Sequence, residues 1–127
     1  MKKILLATAV LFAPVGSFTF AQLSFVSVAE AAASLGDLSP MIAIVTDAQK
    51  IAATGDFKAA AVRMTDWETA WDDAAATMRP LNKAAWSKID HASDAALEAV
   101  RAAKPSAAKV TPALAELLAA LNNPTGK

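Results

Sequence analysis

The chain has 127 residues, enough for one domain of ordinary size and too few for two hydrophobic cores. Its formal net charge is zero with acids and bases interspersed, which argues against a nucleic-acid binder held by phosphate contacts. It has no cysteine, so disulfides, thiolate metal centres and cysteine nucleophiles are excluded in any compartment.

Hydrophobic residues make up 55% of the chain, swollen by an apolar N-terminal segment and by alanine, the best intrinsic helix former. With no tyrosine, little glycine and few β-branched runs after Ser34, the composition implies an all-α domain.

The first residues read MKKILLATAVLFAPVGSFTFAQLSFVSVAEAAAS. Lys2 and Lys3, the apolar run Ile4 to Val15 and the small residues that follow have the layout of a secretory signal peptide. It is expected to span residues 1–31, with cleavage after Ala29-Glu30-Ala31 and an alternative after Ala21. The protein would then be exported, periplasmic or secreted. Membrane contact is expected only if this segment is retained, since Ile4 to Val28 is nearly long enough to span but is diluted by Pro14, Gly16 and Ser17. Residues 32–39 read as an N-terminal linker, and the domain after it must stand on packing alone.

Four helices follow from their punctuation. Ser39-Pro40 offers a cap with proline at the first helical position, and Gly55 offers a stop, giving a first helix from about Pro40 to Thr54. Its apolar stripe is Met41, Val45, Ala48, Ile51 and Ala52. Asp56 caps the second, Phe57 to about Met78, where Phe57, Met64, Trp71 and Met78 recur every seven residues with Ala60, Trp67 and Ala74 between them. Pro80 breaks it, and Asn82 caps a third helix from Lys83 to about Ala103 with the stripe Trp86, Ile89, Ser93, Ala96, Val100. Thr111-Pro112 marks the start of the fourth, with room for a turn or two over Ser106 to Val110; it buries Leu114, Leu117, Leu118 and Leu121.

Short turns favour antiparallel neighbours, so residues 40–122 are expected to form a small antiparallel up-and-down bundle of about four helices, with 123–127 a flexible tail. In a hairpin about Arg79-Pro80-Leu81-Asn82, Trp67 and Trp71 fall beside Ser93, Ala92 and Ile89, large groups against mostly small ones.

The stretch TDWETAWDD, Thr65 to Asp73, sets four carboxylates around two tryptophans, with no lysine or arginine between Met64 and Met78. Asp66, Glu68, Asp72 and Asp73 lie off the apolar seam, and the third helix adds Asp90, Asp94 and Glu98 at four-residue steps. Two readings follow. Asp66, Glu68, Asp72, Asp73, Asp90 and Asp94 form an acidic face for a basic protein partner, or Glu68, Asp72, Asp90 and Asp94 gather as oxygen ligands for a hard divalent cation. The bland alternative is a solvated face partly neutralised by Lys83, Lys88 and Arg101.

The single histidine, His91, has Asp94 one turn away, the spacing of a dyad or phosphoacceptor, but the heptad puts it on the outer face. Met64 and Met78 sit on the seam as core filler, which leaves copper and haem without a ligand set, and no cofactor is expected. There is no Gly-x-Ser-x-Gly, Walker loop, dinucleotide fingerprint or His-Glu-x-x-His, so no catalytic activity is expected either.

Gly55-Asp56-Phe57, then Asp66, Glu68, Trp71 and Asp72, then Trp86, Asp90, Asp94, Ala96 and Leu97, ahead of an alanine-rich leucine helix, form a recurring pattern. In it the chain resembles a group of small exported proteobacterial helical proteins of unestablished function, which are often labelled histidine kinases. The resemblance implies an exported helical bundle. A kinase is not implied, because neither a phosphoacceptor box nor nucleotide-binding boxes occur here. The first hairpin is also similar to that of periplasmic four-helix b-type cytochromes, in architecture alone. The expected function is a non-catalytic binding or accessory protein, with cation handling as the alternative and phosphotransfer through His91 as a remote one.

Overall fold

A computed structural model describes residues 34–125, so the expected signal peptide and the last two residues lie outside the described residues. Four helices occur among them: α1, Ser39–Ala53; α2, Phe57–Met78; α3, Lys83–Arg101; and α4, Ala107–Asn122. Packing runs in a ring, α1 on α2, α2 on α3, α3 on α4 and α4 back on α1, which is the all-α up-and-down bundle read from the sequence.

The helix ends are set by local chemistry. Asp56 accepts a hydrogen bond from the Ala59 amide at 3.0 Å, and Asn82 accepts one from Ala85 at 3.0 Å, each filling a donor that the helix itself leaves open. Gly55 has φ +84°, the left-handed conformation that lets the chain reverse between α1 and α2.

Two starts differ from expectation. Ser39 is not the cap of α1: the helix begins at Ser39, Leu38 stands in the cap position, and Asp37 Oδ1 instead takes the Ser39 amide at 2.9 Å. Thr111 does not cap α4, which takes up the preceding turn allowed over Ser106 to Val110 and starts at Ala107, with Pro112 inside it. The upstream turn buries Val110 completely, in period with Leu114 and Leu117. That burial is worth about 1.5–3 kcal/mol, of the same order as the roughly 3 kcal/mol disfavour of an interior proline. At the other end of the same connection, α3 stops at Arg101, ahead of the expected Ala103, as the chain turns extended at Ala102 before Pro105.

The expected linker also behaves differently. Leu35 and Leu38 are 1% and 7% exposed and belong to the core. The cause is a mismatch of lengths: α2 has 22 residues and α1 has 15. At ~1.5 Å per residue α2 is about 10 Å longer. Residues 34–38 fill that space with the two leucines, and residues 32–33 of the expected linker lie outside the described residues. The tail is tethered where it starts, as Lys88 Nζ donates to the Asn123 carbonyl at 3.0 Å.

The core follows the predicted stripes: Met41, Val45, Ala48 and Ala52; Ala60, Met64, Trp67 and Trp71; Trp86, Ile89, Ser93, Ala96 and Val100; Leu114, Leu117 and Leu121. Ile51, Phe57, Ala74, Met78, Leu97 and Leu118 pack against its edge, partly buried.

Candidate functional site

The α2–α3 seam is built around indoles. Trp71 stacks on Trp86 with ring centroids 3.6 Å apart and planes within 7°, and Trp67 stacks on Trp71 at 5.2 Å. Each α2 indole carries an N–H that burial would leave unpaired, and α3 supplies the acceptor. Trp67 Nε1 donates to Ser93 Oγ at 2.6 Å, and Trp71 Nε1 donates to Asp90 Oδ1 at 3.0 Å. Ser93, at 3% exposure, is the one buried polar side chain among the described residues, and Trp67 is its reason. The hairpin register therefore holds, with Trp67 beside Ser93 as expected. The stacking of Trp71 on Trp86 and the role of Asp90 go beyond the sequence reading. The pairing of residues 71 and 90 across the turn was the available signal.

The acidic residues divide into engaged and free. Asp66 shares Arg63 with Asp47, at 2.9 and 3.0 Å. Glu68 takes Arg101 Nη2 at 2.6 Å, and the same guanidinium nitrogen reaches Thr65 Oγ1 at 3.3 Å. The Arg101 hydrogen bond holds the Glu68 carboxyl below the usual carboxylate range, and the two carboxylates on Arg63 raise its guanidinium pKa. Asp90 is held by the Trp71 indole. Asp72, Asp73 and Asp94 are exposed and have no hydrogen-bond or ion-pair partner among the described residues. Of the three bases expected to neutralise this face, Arg101 does so, while Lys88 turns to Asn123.

Of the four carboxylates considered for a cation, Glu68 is engaged by Arg101 and Asp90 by Trp71. Among the described residues no three histidine or acidic side chains come together as a metal-binding group. His91 is exposed and makes no hydrogen bond to Asp94; it lines a shallow groove between α3 and α4 beside Lys88 and Glu116. Met41 and Met64 are buried and Met78 is partly buried, in the core-filling role expected of seam methionines.

What this face presents chemically is a fixed negative surface: α2 and α3 are pinned together by indole hydrogen bonds, and Asp72, Asp73 and Asp94 project from them into water. No described helix is long and apolar enough to cross a membrane. Compared with known protein families, with characterised proteins and with solved structures, the chain matches none.

Proposed function

We propose that this protein is an exported helical-bundle binding or accessory module, periplasmic or secreted, without catalytic activity or a cofactor of its own. It engages a basic protein partner through the acidic face of α2 and α3. The observation that carries the reading is the division among the carboxylates. Asp66, Glu68 and Asp90 are occupied within the fold, whereas the adjacent Asp72 and Asp73 are exposed without a counter-charge. Asp72 stands one turn from Glu68, a like-charge i, i+4 spacing that is mildly unfavourable for an isolated helix, and a cationic partner would relieve it. Lys2, Lys3 and the apolar run Ile4 to Val15, laid out as in a secretory signal peptide, support export as part of the same reading.

The test is affinity capture from a periplasmic extract with wild type and with Asp72→Asn/Asp73→Asn, at low and raised salt. A basic protein retained by wild type, lost with the double variant and released by salt is the expected result. Capture indifferent to both changes would remove the acidic face from the function. Sequencing the N-terminus of the protein recovered from cells tests export directly: a start near Ala32 in the periplasmic fraction is expected.

A further inference from the structure

We propose that the end of the bundle formed by the α1–α2 turn and the α3–α4 connection docks on an anionic lipid surface through four lysines. In an up-and-down bundle these two connections lie at the same end. Lys50 is in the last turn of α1, Lys58 in the first turn of α2, Lys104 in the α3–α4 connection and Lys109 in the first turn of α4. The lysines are therefore spread around one end of the bundle, not lined up on one helix. All four are exposed, and their side chains have no hydrogen-bond or ion-pair partner among the described residues. Side chains tilt toward the N-terminus of their helix, and α2 and α4 both start here, so Lys58 and Lys109 lean toward this end.

Few acids oppose them. Asp56 is committed to the Ala59 amide, and Glu98, one turn before the end of α3, lines the same groove as Lys109. Arg101 and Glu68 neutralise each other, and Asp47 and Asp66 share Arg63. The unpaired carboxylates stand further off: Asp72 and Asp73 are roughly 22–24 Å down α2 from its start, and Asp94 roughly 10 Å down α3 from its end. The Debye length at physiological salt is ~8 Å, so a surface touching the lysines is screened from these three. A chain of zero net charge thus carries a basic pole.

Shape identifies the occupant. Lysines around a bundle end roughly 20 Å across are met together by a flat surface. A single-stranded nucleic acid needs aromatic platforms for its bases, and Trp67, Trp71 and Trp86 are buried. A protein interface needs an apolar centre, and the exposed large apolar side chains Val62 and Leu81 lie a turn beyond Lys58 and at the opposite end. An anionic bilayer needs neither, since its surface potential holds each nearby lysine and multiplies the partition roughly fivefold. Four lysines make a reversible peripheral contact, half-bound at about millimolar lipid. The N-terminal segment takes no part in it, because Ser34 leads into α1 at the opposite end. Asp72 and Asp73 are left standing off the membrane, accessible to a basic partner.

The test is co-sedimentation of the purified protein, as the cell processes it, with vesicles of phosphatidylcholine containing about a third phosphatidylglycerol, at roughly 1–5 mM lipid and about 50 mM salt. Binding to these vesicles, none to pure phosphatidylcholine and release at about 300 mM salt are expected. Lys104→Gln/Lys109→Gln should lower the partition roughly 25-fold. Arg79→Gln/Lys83→Gln removes the same charge from the opposite end and should change it by less than about twofold. All four positions are exposed, and far-UV spectra matching wild type verify that each variant is folded. A chain that does not sediment with the anionic vesicles overturns the proposal, even where the same lysines retain an acidic protein or a nucleic acid. Equal losses from the two pairs overturn it as well, since net charge and not this end would then govern binding, and so does binding that ignores lipid charge.

Discussion

The α2–α3 contact and the α3–α4 contact are both helix pairs of one bundle, built on opposite principles. Between α2 and α3 the space is filled by three indoles, and two of them are fixed by hydrogen bonds to named atoms on α3. Between α3 and α4 the contact is made by small and aliphatic side chains: Ala96, Val100, Val110, Leu114 and Leu117 within, and alanines outside. Apolar packing of the second kind tolerates small slides, since one methyl replaces another. The Trp67 N–H tolerates none, because a slip of one residue leaves it buried without its Ser93 acceptor. The first contact therefore sets register, and the second supplies burial and leaves a shallow outer surface.

The sharpest way to break this contrast is to remove an indole. Trp67→Ala or Trp71→Ala should each cost on the order of 3–5 kcal/mol in urea denaturation, as truncation of a buried aromatic does. Losing Trp71 also removes the neighbour on which both Trp67 and Trp86 stack, so it should quench the exciton signal of the near-UV spectrum more than losing Trp67. A next, smaller effect separates the two polar contacts within the seam. Ser93→Ala strands the buried Trp67 N–H and should cost about 1–3 kcal/mol. Asp90→Ala should cost visibly less, because Asp90 is exposed and water can take over the Trp71 donor. Equal losses from the two would mean that burial does not decide the worth of these bonds.

Helix positions were legible in the sequence wherever a period and a terminator agreed. For α2 both did: its seven-residue repeat and the flanking Asp56 and Pro80 gave Phe57–Met78, the helix observed. They disagreed at α4, where Pro112 reads locally as a start while Val110 keeps the apolar period running upstream. Residues 34–38 carried only two leucines of signal, and their burial depends on the unequal lengths of α1 and α2, a property of the assembled bundle that no local window contains. The same limit applies to the acidic face. The sequence located every carboxylate on it, but which were free depended on Arg63 and Arg101, and Arg101 lies 33 residues from the glutamate it pairs with.

Caps offer a smaller test of how each contact is held. Asp56→Ala removes the acceptor for the Ala59 amide at the start of α2 and should cost about 1 kcal/mol, measurable as a shift of the urea midpoint without a change of slope. The register of the indoles should be untouched, so the near-UV spectrum of the folded variant should match wild type. A spectrum that changed with the cap would tie the Trp seam to the α1–α2 turn and blur the distinction between register-setting and space-filling contacts.

The smallest expected effect concerns Glu68, the polar tie between α2 and α3 that faces water. Its carboxyl is held below the ordinary range by the Arg101 hydrogen bond, so protonation is harder in the folded chain than in the unfolded one. A group with a lowered folded pKa adds stability that is fully present above its unfolded value, about 4.3 for glutamate, and that drains away as pH falls through the lowered folded value. Glu68→Gln should therefore lower the melting temperature slightly near neutral pH, and the gap from wild type should close as pH falls below that unfolded value. With side chains 41% and 42% exposed, the pair is screened by solvent, so raised salt should narrow the gap at neutral pH as well. A gap that persists unchanged in acid would show that Glu68 acts through packing or hydrogen bonding as a neutral group, and the outer edge of the α2–α3 contact would then belong with its interior, held by shape and register more than by charge.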